Sequence, residues 1–132
     1  MSLTDEERDA IVTYRVERAQ VSMNDVKDLV SMHKWSLVAN RLYYTLYYVS
    51  SALLLKDGHA TRTHKGMMTL INQFYVRTGV LSTEDSRLIK RMFDLRQESD
   101  YDDFIYVTEQ EIMPFVPQVE ALLNKVIELI RK

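Results

Sequence analysis

Apolar residues recur at helical spacing along most of this chain, with charged positions between them. Ile11, Val12, Ala19, Val26, Leu29 and Val30 follow Thr4, and the pair Thr4 and Glu7 has the spacing of a capping box. A first helix is therefore predicted from about Asp5 to Ser31, turning at Met32-His33-Lys34. Trp35 or Ser36 opens a second helix to about Lys56. There Val38, Leu42, Leu46, Val49 and Leu53 form one apolar face, while Tyr44, Tyr47, Tyr48 and Leu55 line the other with Asn40, Arg41 and Ser51. A helix apolar on nearly every side has to be covered on nearly every side. In a chain this short, sister helices cover one flank and a second copy is expected on the other, through Tyr44, Tyr47 and Tyr48.

Gly58 stops that helix within the loop Asp57–Arg62. A third helix is predicted from about Thr63 to Arg77, ended by Gly79. Ser82 caps a fourth, with Glu84 and Asp85 in its first turn, ending near Gln97. Residues Glu98 to Val107 read as the longest irregular segment. Thr108 and Glu111 repeat the capping pattern and start a last helix to about Arg131, which Pro117 should bend or delay. The expected fold is all-α: an antiparallel bundle of four to five helices in one domain, residues 1–132.

Composition narrows the picture. Three glycines and two prolines in 132 residues leave few tight turns, and the lack of cysteine removes disulfides and thiolate metal sites. A net charge of −2 gives no global pull on nucleic acid, so no DNA binding is expected and any RNA contact must be local. No apolar run reaches the ~18 residues of a membrane span, and the acidic N-terminus does not read as a signal peptide. A soluble cytoplasmic protein is expected, without membrane contact, metal or cofactor. Glu-x-x-His pairs, glycine-rich phosphate loops and nucleophile elbows are missing.

The candidate chemistry starts at Arg96, which continues the apolar stripe of Ile89, Met92 and Phe93 and precedes Glu98, Asp100, Tyr101, Asp102 and Asp103. A guanidinium emerging from apolar surroundings needs acceptors nearby. One reading is an arginine–carboxylate clamp closing the helix, the other a charged groove at a subunit interface. Asn40 and Arg41 either tie the second helix to a neighbour or line the same groove. His64 either bonds a nearby carbonyl or folds against the Arg96 turn. Tyrosines Tyr43, Tyr44, Tyr47 and Tyr48 serve as packing or as stacking platforms for bases. Arg87, Lys90 and Arg91 read as a solvated basic ridge, with His33 and His59 in solvated loops.

Four stretches in order carry a resemblance: Asn40-Arg41-Leu42-Tyr43-Tyr44, Ser51 to Gly58, Thr63-His64-Lys65-Gly66, and Phe93 to Asp103. Together they are similar to the HEPN family (higher eukaryotes and prokaryotes nucleotide-binding domain), in its compact prokaryotic branch, over about residues 8–130. The resemblance implies an all-α, commonly dimeric bundle, often encoded beside a small nucleotidyltransferase as a toxin–antitoxin pair. Nuclease members carry an arginine followed after four to six residues by a histidine, and cut RNA without metal. Here Arg96 matches the arginine, but Tyr101, Asp102 and Asp103 stand where the histidine would be. An imidazole suits proton transfer near neutrality; an ordinary carboxylate or phenol does not. The expectation leans away from an enzyme, towards a dimeric interaction or nucleotide-binding module paired with a nucleotidyltransferase. The alternative is an RNA-cleaving toxin using Arg96 with Asp100, Tyr101 or His64, and Asn40, Arg41 and His64 as nucleotide or RNA contacts.

Overall fold

A computed structural model describes residues 2–101 and 106–132, without the side chains of residues 99–101. All regular structure among these is helical: α1 Asp5–Ser31, α2 Trp35–Lys56, α3 His64–Ile71, α4 Thr83–Tyr101, α5 Glu109–Ile112 and α6 Phe115–Arg131. The expected all-α bundle is the fold found. Arg15 bonds to Ser51 and Ser22 to Arg41, so α1 and α2 run antiparallel. Lys56 donates to the Leu129 carbonyl near the end of α6, placing the C-terminal ends of α2 and α6 together. The long helices α1, α2, α4 and α6 thus alternate in direction, with α3 inserted between α2 and α4.

At the centre is α2, packed against every other helix. Val38, Leu42, Leu46, Val49 and Leu53 are each at most 2% exposed, so the predicted inner face is the core face. The outer flank is less uniform than its sequence suggested. Tyr44, Tyr47 and Tyr48 are half-buried there, while Tyr43, which the sequence did not assign to this flank, is buried among the core residues. Leu55 packs inward with Val12 and Ala52, beside Ile130 of α6.

Both capping boxes form: Thr4 with Glu7, and Thr108 with Glu111. Ser82 caps α4, its hydroxyl accepting from the Asp85 amide at 3.0 Å. At the other end of α1, the Lys34 amide donates to Leu29 and that of His33 to Val30, the paired bonds of a Schellman ending. This puts His33 at φ 58°, in the left-handed region where a Cβ is strained. His33→Gly should therefore raise stability by about 0.5–1 kcal/mol, seen as a higher midpoint in urea.

Three boundaries differ from the sequence reading. The third helix is α-helical only to Ile71; Asn72–Val76 winds as a π turn, with the Arg77 amide donating to Asn72. Its buried residues Met67, Ile71 and Tyr75 are spaced by four, which overshoots a 3.6-residue turn, and a wider turn keeps them aligned. Helix α4 continues to Tyr101, beyond the expected end at Gln97, because Glu98-Ser99-Asp100 contains neither glycine nor proline to stop it. The last helix is delayed, as Pro117 required. Proline there can neither bond to the Met113 carbonyl nor clear it. The chain breaks after the short α5 and restarts at Phe115, leaving Pro117 in a first turn whose amides have no helical acceptor.

Candidate functional site

The outer flank of α2 meets the last turns of α4 around Tyr43 and Tyr44. Helix α4 buries Ile89, Met92 and Leu95 completely, so Phe93 and Arg96 emerge at the edge of its core face. Arg96 is half-buried; its guanidinium lies 5.4 Å from the Tyr43 ring centre and 5.5 Å from that of Tyr44. One of its N–H groups donates to the Tyr44 hydroxyl at 3.3 Å. The second guanidinium on Tyr44 is that of Arg41, at 4.8 Å. Asn40 holds it there, its amide oxygen accepting from Arg41 at 2.9 and 2.6 Å. The structure thus brings Asn40, Arg41 and Arg96 to one tyrosine. A cation over an aromatic face is held by the ring quadrupole, an arrangement suited to a partly desolvated guanidinium.

Tyrosine rings extend the cluster along α2. Centroid separations of 5.0 to 6.2 Å link Tyr43, Tyr44, Tyr47 and Tyr48. Arg18 of α1 closes the far end, 5.4 Å above the Tyr48 ring, with a bond to its hydroxyl at 3.5 Å. Burial pushes the Tyr43 hydroxyl up to about 12, neighbouring Tyr47 acting in the same direction and Arg96 against it. Tyr43 is therefore a neutral packing group at physiological pH.

His64 lies at the start of α3, behind this cluster. Its ring stacks on Phe93 with centres 3.6 Å apart and planes 7° from parallel, and lies 5.8 Å from Tyr43. Both ring nitrogens are shielded from solvent and lack a hydrogen-bond partner among the described residues. Burial first, and then the charge of Lys90, lower its pKa to about 4, Asp94 opposing. The imidazole is neutral at pH 7, with neither nitrogen open to a reacting group in this arrangement.

The backbone of Asp100 and Tyr101 forms the end of α4, but their side chains, and the whole of Asp102 and Asp103, lie outside the described residues. On the other side of α4, Arg87 and Arg91 are exposed while Lys90 pairs with Asp94 at 3.1 Å. His33 is exposed, but His59 is not simply solvated: it stacks on Phe74 at 3.9 Å, because the Schellman ending of α2 folds it back. The sequence reading left two alternatives open for each of His64 and Tyr43: the structure puts His64 on Phe93, one turn before Arg96, and Tyr43 in the core. The spacing Phe93–Arg96 put both on one face, but nothing local said which part of α2 they would meet. No group of three or more metal-ligating side chains forms among the described residues.

Comparison with known proteins shows the family of the chain. A UPF0332 protein of Thermotoga maritima is 31% identical over 124 residues, 94% of each chain. A UPF0332 protein of Archaeoglobus fulgidus is 28% identical over 118 residues, 89% of this chain and 94% of that one. A Methanocaldococcus jannaschii protein named as a candidate toxin is 26% identical over 110 residues, 83% of this chain and 75% of its own. The HEPN domain profile matches residues 12–130, a span that holds α2, α4 and every side chain of the tyrosine–arginine cluster, and the chain belongs to the HEPN domain family.

Proposed function

We propose that this HEPN domain is the dimeric, protein-binding half of a toxin–antitoxin-type pair whose other half is a small nucleotidyltransferase. The observation that carries this is the cluster on the outer flank of α2. Two guanidiniums converge on the half-buried Tyr44, beside the half-buried Tyr47 and Tyr48, on the helix side not filled by this chain's own core. Tyrosine and arginine together are what buried protein contacts enrich for. The candidate-toxin relatives give the pairing its context. In this reading Asn40, Arg41 and Arg96 line a cleft completed by a second copy, where a nucleotide or RNA phosphate would find charge-assisted donors.

The competing reading is an RNA-cleaving toxin. It needs a proton-transfer group beside Arg96, and the closed-in nitrogens of His64 disfavour that histidine. Asp100 and Tyr101 remain the candidates for it. Co-expression with a small nucleotidyltransferase from its own locus, followed by affinity purification, should give a stoichiometric complex. Purified protein incubated with total RNA should leave the RNA intact. Metal-independent cutting that vanishes in Arg96→Ala would transfer the conclusion to the toxin reading, and failure to co-purify would remove the partner.

A further inference from the structure

A second polar recess lies apart from the Arg96 cluster, where α1 and the end of α2 meet the loop leading into α3. It is small and partly open to solvent, about 10 Å³, room for one atom the size of a water oxygen. Arg15, Tyr47, His59 and Thr61 provide its polar lining, over a floor of Leu54 and Met67. None of the lining side chains is a carboxylate. Arg15 is half-buried, yet among the described residues it forms no ion pair and makes one hydrogen bond, to the Ser51 carbonyl at 3.3 Å. Tyr47 makes no hydrogen bond through its hydroxyl among those residues.

The loop side of the recess is built rather than draped. His59 is fixed by its stack on Phe74. Thr61 is fixed by Gly66: a Cβ on that glycine would stand 2.2 Å from the Thr61 hydroxyl oxygen, so only a hydrogen there lets the loop settle onto α3. The Thr61 oxygen also accepts from the Thr63 amide at 3.4 Å. A half-buried guanidinium, with hydroxyl and imidazole donors around an apolar floor and no counter-charge, is matched to negative charge.

We propose that this recess binds a small anion, either a halide ion or a single oxygen of a phosphoryl group whose remainder points outward. The recess admits one such atom, and Arg15 supplies the charge. The site shares Tyr47 with the tyrosine flank, but its charge comes from Arg15, which the pairing proposed there does not use.

The test compares thermal unfolding of the full chain in sodium gluconate, bromide and inorganic phosphate at equal ionic strength. Bromide or phosphate should raise Tm by about 2–5 °C over gluconate. The rise should vanish in Arg15→Gln and shrink in Tyr47→Phe, which removes one hydroxyl and keeps the ring. A rise in bromide alone assigns a halide site, and a rise in phosphate alone a phosphoryl site. Where bromide raises Tm, crystals soaked in it should show an anomalous peak between Arg15 and Thr61. A Tm that follows ionic strength alone, a rise that persists in Arg15→Gln, or a bromide-dependent rise with no such peak in the soaked crystal would overturn the assignment.

Discussion

Leu53→Asp should leave the chain largely unfolded at room temperature, whereas Tyr44→Glu should fold normally and lose self-association. The two residues lie on opposite flanks of the same helix. Leu53 is 2% exposed within the core, so a carboxylate there has neither water nor a cation to meet. The combined loss of apolar burial and introduction of an unpaired charge amounts to about 5–10 kcal/mol, comparable with the whole stability of a typical domain. Tyr44 is half-buried, with Arg41 and Arg96 against its ring. A glutamate there stays in contact with solvent and gains two cationic neighbours, so folding should change by less than about 1 kcal/mol. Circular dichroism with sedimentation velocity separates the cases: Leu53→Asp loses helix signal, and Tyr44→Glu keeps it while sedimenting as a monomer. A Tyr44→Glu variant that still pairs would show that the tyrosine flank is not where two copies meet.

The second large effect is acid sensitivity through His64. Its pKa falls from an ordinary 6.5 in the unfolded chain to about 4 in the fold, so the folded state favours the neutral ring. Protonation then binds more readily to the unfolded chain. The stability this contributes is complete above about pH 6.5 and is lost as the pH falls from there towards 4. The slope cannot exceed about 1.4 kcal/mol per pH unit for one proton, and partial exposure of the side chain lowers the total rather than this limit. The groups facing the ring are Lys90 and Asp94 on α4 and Tyr43 on α2. His64→Phe keeps a ring on Phe93 and removes the titration. Urea unfolding at pH 7, 5.5 and 4.5 should show wild type losing stability relative to His64→Phe across that interval. Parallel pH profiles for the two proteins would refute the account.

Local rules carried much of the fold. Thr4, Ser82 and Thr108 start helices because their hydroxyls satisfy amides within three residues, and such signals are complete in a short window. The inner face of α2 was equally visible, since Val38 to Leu53 repeat at the helical period. What the window could not hold was the partner of each outward side chain. Arg96 and Tyr44 are 52 residues apart, and their meeting depends on how α4 lies across α2. The same holds for His64, for which the sequence left a nearby carbonyl or the Arg96 turn, and which meets the Phe93 ring of α4. The π turn had a readable trace in the spacing of Met67, Ile71 and Tyr75, but that spacing becomes decisive only once all three are known to be buried.

The position of α2 also bears on how the chain is made. During synthesis α2 leaves the ribosome when α1 is its one partner from this bundle, while α4 and α6, which cover the remaining sides, are still to be translated. For that interval its leucines and tyrosines are bare together, a sticky hairpin open to capture by chaperones or by a neighbouring nascent copy. Of the helices in this bundle α6 is the last to be made, so its arrival is what closes the final side of the central rod.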